Sequence, residues 1–205
     1  ATGDLLTAGG ISQKLVKFAQ STVPFLPGAT AATTMGSCGL FSAVSGSNAA
    51  TAATMGRLLG PELEKKGVDK GLSAALVAAG GTVGVIIPPS VMFLIYGVTV
   101  DVSSVDLFVG GIIPGILMVL VLVSTAVFLT RRKEPTQGLK ALKFDQIIKN
   151  AGNAWLGFIA IGIILFGIYW GYFSPTEAAG VVTLYCMFAG IFISRELKFR
   201  DIPNI

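Results

Sequence analysis

The sequence predicts an all-α polytopic membrane protein, and three observations carry that expectation. Of the 205 residues 53% are hydrophobic, and the mean hydropathy is +0.76. Only 13% are charged, about half the roughly 25% usual in soluble domains. The charges also fall in clusters, separated by long uncharged intervals. Disorder is excluded, because a disordered chain needs low hydrophobicity and high charge. Glycine, at 26 residues, is about twice its ordinary frequency, as suits membrane helices.

Residues 1–24 read as an interfacial and connecting segment, in which 11–20 (ISQKLVKFAQ) is short and amphipathic with Lys14 and Lys17 at its polar edge. Between Lys17 and Arg57 lie 39 uncharged residues, and both flanks are basic. By the positive-inside rule both flanks are cytoplasmic, so residues 25–64 must leave and return on one side. Two full crossings or a re-entrant helical hairpin would satisfy this. Composition favours the hairpin. The turn Ser45-Gly46-Ser47-Asn48 is small and polar, and the arm Ala29–Leu40 is built of residues suited to close helix packing rather than lipid contact.

Residues 71–130 read as one discontinuous helix followed by one transmembrane helix. The run Gly80–Ser90 (GGTVGVIIPPS) places three glycines before two adjacent prolines. Prolines remove backbone donors and push the preceding residue out of the helical region. The helix should break here and restart after Ser90, a suitable N-cap for Val91–Val98. The 24 uncharged residues between Asp106 and Arg131 fit a helix at about 107–130. Residues 131–153, with Arg131, Arg132, Lys133, Lys140, Lys143 and Lys149, form a cytoplasmic connector. Residues 154–194 hold two transmembrane helices, at about 154–173 and 176–194, joined by an external turn. Ser174-Pro175-Thr176-Glu177 fits an N-cap, a proline at N1 and a capping-box glutamate. Residues 195–205, with Arg195, Lys198 and Arg200, begin a further cytoplasmic connector. The side assignments alternate along the chain without conflict.

Several chemistries drop out. The chain has no histidine, which removes His-based acid/base catalysis and His metal ligands. It lacks an H-E-x-x-H motif, an intramembrane Asp pair and a phosphate-cradling glycine loop, so no enzyme is expected and no cofactor. Cys38 and Cys186 sit in apolar stretches as small hydrophobes. A net charge of +4 needs no nucleic-acid partner in a membrane chain.

The two interruptions carry the functional expectation. Exposed backbone groups in hydrocarbon cost several kcal/mol each, so irregular backbone persists at membrane depth only when buried or lining a hydrated cavity. Ser45–Asn48 and Gly80–Ser90 together offer carbonyls, the hydroxyls of Ser45, Ser47, Thr82 and Ser90, and the amide of Asn48. These hard, neutral oxygens suit an alkali cation, and secondary transporters build ion sites from unwound backbone in this way. A proton relay would need intramembrane Asp, Glu or His, and neither interruption contains one. Sodium is the expected coupling ion.

GGISQKLVKFA at 9–19, FSAVSGSNAATAATMG at 41–56, GTVGVIIPPSVMFLIYGV at 81–98 and YFSPTEAAGVV at 172–182 together resemble the large membrane (M) subunit of tripartite ATP-independent periplasmic (TRAP) transporters. The resemblance runs through nearly the whole chain. It implies half of an inverted-repeat elevator transporter in the bacterial inner membrane. Such a protein takes up carboxylates such as dicarboxylates or sialic acids with sodium, works with a small membrane (Q) subunit, and receives substrate from a periplasmic binding protein. Family members are about twice as long, so the chain looks like the first repeat without its opening helices. Carried over by position, Ser45, Gly46, Ser47 and Asn48 form the tip of the hairpin facing the cytoplasm. Gly81, Thr82, Gly84 and Val85 lend backbone oxygens to the first sodium, and Pro88, Pro89 and Ser90 set the helix break. Another elevator-type anion carrier, or a channel-like subunit with a re-entrant loop, is the alternative that a broken helix alone does not separate.

Overall fold

The computed structural model describes residues 2–135, 142–194 and 196–197. Every regular element among them is helical: α1 Thr2–Ala8, α2 Ile11–Thr22, α3 Ala29–Ser45, α4 Asn48–Lys65, α5 Lys70–Gly81, α6 Val91–Val100, α7 Ser104–Thr130, α8 Phe144–Asn153, α9 Trp155–Tyr169 and α10 Pro175–Phe188. A 3-10 turn, Thr82–Val85, follows α5, and a π turn, Ala189–Ile193, follows α10.

Two described helices, α7 and α10 with its π turn, are long and apolar enough to cross a bilayer. Their outer faces are bare, with Ile113 78% and Leu117 61% exposed on α7. That is the surface a hydrocarbon solvent accepts. Helix α9 is only 15 residues long and meets α8 at a bend of 62°. A helix within the connector was not evident from the charge clusters. Its sequence FDQIIKNAGN alternates apolar and polar faces, buries nothing and exposes Phe144 and Ile148. The segment 11–20, expected to be interfacial, forms the first ten residues of α2, whose Ile11, Leu15 and Val16 are buried. The Asn150 side chain donates to the Lys17 carbonyl, tying α8 to α2.

Helix α3 lies at the centre. Small residues let its neighbours approach: Gly39 meets Val119 of α7, and Gly80 of α5 meets Cys38. The larger core gathers Phe41, Met55, Leu59 and Phe108 with Leu156, Ile164, Val182 and Cys186 of α9 and α10. A smaller one holds Ala31, Met35, Leu63, Leu76 and Ala126 where α3, α4, α5 and α7 meet at the base of the hairpin.

The expected capping box at Ser174 is present. Its side chain accepts from the Glu177 amide, the Glu177 carboxylate accepts from the Ser174 amide, and Pro175 is the first helical residue. Lys140, Arg195, Lys198, Arg200 and most of the connector at 195–205 lie outside the described residues.

Candidate functional site

The turn between α3 and α4 is two residues long. Gly46 closes α3 in the left-handed region at φ 59°, and its amide donates to the Ser42 carbonyl. Ser47 is extended and caps α4, its hydroxyl accepting from the Ala50 amide. Asn48, expected within the turn, is the first residue of α4. A residue with a Cβ resists a left-handed backbone, so glycine is favoured at position 46 on backbone grounds alone.

The second interruption runs from Thr82 to Ser90. After the 3-10 turn, the Ile86 and Ile87 amides both donate to the Val83 carbonyl, and the Pro88–Pro89 peptide is cis. Ser90 is extended and fully buried. Its hydroxyl accepts from the Phe93 amide, capping α6, and donates to the Val85 carbonyl. One serine therefore closes the break from both sides.

The two interruptions touch. The Val91 amide donates to the Gly46 carbonyl at 3.2 Å, bonding the start of α6 to the turn. A Cβ added to Gly46 would lie 2.4 Å from the Pro89 carbonyl oxygen. On the other side of the turn, a Cβ on Gly84 would lie 3.0 Å from both Asn48 Oδ1 and the Ser47 carbonyl carbon. Gly81 meets Ala52 and the Asn48 carbonyl in the same way. Glycines at 46, 81 and 84 are thus what lets the two backbones come together.

Of the residues singled out from the sequence, Ser45, Gly46, Ser47, Asn48, Gly81, Gly84, Val85, Pro88, Pro89 and Ser90 are gathered at this junction. The Thr82 hydroxyl is the exception: it is exposed and turns back to the Ala79 carbonyl at 2.6 Å, which leaves only the backbone of Thr82 for the expected role. Thr51 was missed, although it is the hub of the hairpin's polar interior. Its hydroxyl donates to the Ser47 carbonyl at 2.8 Å and lies 3.0 Å from Ser45 Oγ and 3.3 Å from Ser42 Oγ. Thr51 and Ser42 are both fully buried. The signal was one helical turn of spacing after Ser47, on the face that also carries Met55.

A cavity of about 90 Å³ opens beside the junction, lined by Ser45, Gly46, Pro89 and Ser90 with Pro175 and Val182 of α10. It has room for several waters. Among the described residues no group of three or more His, Cys, Asp or Glu side chains gathers. The polar atoms at the junction are neutral oxygens and amides, able to solvate a cation but not to transfer a proton at neutral pH.

Residues 2–205 match the family model of the tripartite ATP-independent periplasmic transporter, DctM component. The isethionate TRAP transporter permease protein DctMQ of Oleidesulfovibrio alaskensis is 39% identical over 203 residues, covering 97% of this chain and 31% of that protein. The C4-dicarboxylate TRAP transporter large permease protein DctM of Pseudomonas aeruginosa is 31% identical, covering 100% of this chain and 48% of its own length. The sialic acid TRAP transporter permease protein SiaT of Haemophilus influenzae is also 31% identical, over 99% of this chain and 33% of that protein. The chain spans from 31% to 48% of the length of these curated relatives. Helices of this length and apolarity, together with a match along almost every residue, establish that the chain belongs to the DctM family of membrane permease components.

Proposed function

We propose that the chain forms one half of a sodium-coupled secondary transporter that takes up a small organic acid, in the class of the dicarboxylates or sialic acids named for its relatives. The reading places it in the bacterial inner membrane beside a small membrane subunit, with substrate delivered by a periplasmic binding protein. Helices α3 and α4 are then a re-entrant hairpin, and α5 with α6 a single discontinuous crossing.

Two lengths support this. Arg57, exposed on α4, is nine residues beyond Asn48, or about 14 Å at the α-helical rise. That is half of a hydrocarbon core of roughly 30 Å, so a charge at the interface leaves the tip near the midplane. Helix α6 spans 10 residues, about 15 Å, and so covers half the core from Asp101 inward.

The observation that carries the reading is the contact of the tip with the break, Gly46 to Val91 and Gly84 to Asn48. It gathers neutral oxygens from two unwound segments. A monovalent cation held there would be carried as the hairpin, the break and α7 shift together in an elevator movement. Each sodium moving inward gains roughly 2.3 kcal/mol per 100 mV of membrane potential, a drive for uptake without ATP. Asn48 is the cleanest probe, because its side chain does not cap the helix. In the full-length transporter with its partners, Asn48→Ala should raise the sodium concentration for half-maximal uptake about tenfold or more at near-normal expression, the loss of one coordinating oxygen. Uptake with unaltered sodium dependence and rate removes this site from the mechanism.

A further inference from the structure

At the opposite end of the hairpin from the tip, one carboxylate holds three elements together. Glu134 follows α7, and its side chain is only 11% exposed. One carboxylate oxygen accepts from the Thr30 amide at 2.9 Å, at the otherwise uncapped start of α3. The other accepts from the Thr30 hydroxyl at 3.0 Å and lies 3.6 Å from Lys66 Nζ, at the end of α4. The backbone joins in: the Gly28 amide donates to the Glu134 carbonyl at 2.8 Å. A Cβ on Gly28, which sits at φ 68°, would lie 2.2 Å from the hydroxyl oxygen of buried Thr130. Both feet of the hairpin are thus fastened to the end of α7.

Helix α7 also touches the break. A Cβ on Gly111 would lie 2.8 Å from the Ile86 carbonyl oxygen, and one on Gly115 would lie 3.0 Å from Ile87. Midway along, Val119 packs on Gly39 of α3. Helix α7 therefore meets the break in its first half, on either side of Pro114, and the hairpin's feet at its end. Helix α3, with 17 residues, is a lever of about 25 Å. A swing of about 5° at its foot displaces the tip by roughly 2 Å over that length, enough to part the Gly46 carbonyl from the Val91 amide.

We propose that Glu134 is a positioning residue for the ion site at the far end of the hairpin, setting the angle at which the tip meets the break. The inference rests on the sodium reading for its functional consequence but not for its geometry. Charge-assisted hydrogen bonds to a nearly buried carboxylate are the strong kind. The half-exposed Lys66 contributes less.

The test is amide hydrogen exchange on the full-length protein in lipid nanodiscs, read at residues 46–52 and 90–94, with sodium titrated against potassium at constant ionic strength. Glu134→Ala should speed exchange at those two segments about tenfold without sodium, and raise the sodium needed for half protection about tenfold, one lost strong hydrogen bond in each case. Glu134→Gln keeps one neutral acceptor for Thr30 and should recover part of both effects. Thr30→Val removes only the hydroxyl and should shift both in the same direction by a smaller factor. If Glu134→Ala leaves both segments as in the parent, or speeds exchange equally throughout α7, α9 and α10, the positioning role is overturned. Should the parent protein show no sodium protection at the tip, the sodium reading falls, and the exchange rates without sodium still decide for or against Glu134.

Discussion

Replacing Gly46 by alanine tests the contact on which the proposed site depends. The backbone there is left-handed at φ 59°, a region that costs an L-residue with a Cβ about 1–2 kcal/mol. The new methyl would also lie 2.4 Å from the Pro89 carbonyl oxygen. That oxygen belongs to backbone pinned between Pro88 and Ser90, so it has no rotamer by which to retreat, and overpacking of this kind costs about 1–3 kcal/mol. The sum is about 2–5 kcal/mol against the docked tip. The matched control lies on the same helix: Gly36 has nothing within 4 Å of its added Cβ. Gly36→Ala should be neutral or stabilising by about 0.5–1 kcal/mol, since alanine is the better helix former. The assay is thermal unfolding of the full-length protein in detergent, paired with exchange of the Val91 amide. Gly46→Ala should lower the melting temperature and expose Val91, while Gly36→Ala does neither. Equal melting temperatures, with the Val91 amide still protected in both, would refute the argument that the tip is seated on the break by close backbone contact.

Two further substitutions probe the hairpin interior. Thr51→Val keeps the shape but removes a hydroxyl shared by Ser42, Ser45 and the Ser47 carbonyl; it should destabilise by about 1–3 kcal/mol, measured by thermal unfolding, and Thr51→Ser should recover most of that loss. Gly80→Ala would set a methyl 2.5 Å from Cys38 Sγ and should destabilise by about 1–3 kcal/mol, with partial recovery in the double variant carrying Cys38→Ala, because the sulfur is the atom in closest conflict.

Punctuation was the part of this fold most legible in the sequence. Ser90 and Ser174 announce helix starts through local chemistry, a hydroxyl followed by amides without partners, and both are N-caps in the structure. The turn within SGSN, narrowed in the structure to Gly46 and Ser47, and the interruption within GGTVGVIIPPS were legible for the same reason, since glycine and proline act on their own backbone. Contacts across distance were not. Thr51 reads as one more small residue in an alanine- and threonine-rich helix until the turn folds Ser42 and Ser45 back upon it. The Thr82 hydroxyl misled in the opposite sense: beside a break it looks like a donor to the site, yet helical phase turns it outward to bond Ala79. Glu134 sat unremarked beside a basic cluster, because nothing local says that Thr30, 104 residues away in sequence, will need a cap. Helix α8 was obscured because six basic residues in the connector outweighed an amphipathic period only ten residues long.

The mutual dependence of the two interruptions explains how a chain tolerates either. At the membrane depth proposed for them, a turn at Gly46 or a break at Pro88–Pro89 alone would leave amides and carbonyls facing hydrocarbon at several kcal/mol each. Docked, the turn supplies the carbonyl that the Val91 amide needs, and Ser90 supplies the donor that the Val85 carbonyl needs. What remains at the junction is oxygen-rich but uncharged, so a bound cation would be the sole charge there. An Asp or Glu in place of Asn48 would hold a cation more tightly, and would also bury a carboxylate whenever the ion leaves. Removing one partner of a buried charge pair is strongly destabilising, which would penalise the empty state on every cycle. In the proposed carrier, a neutral amide set among serines would leave no uncompensated charge when the ion departs, whereas a carboxylate there would have to take up a proton or stay unpaired.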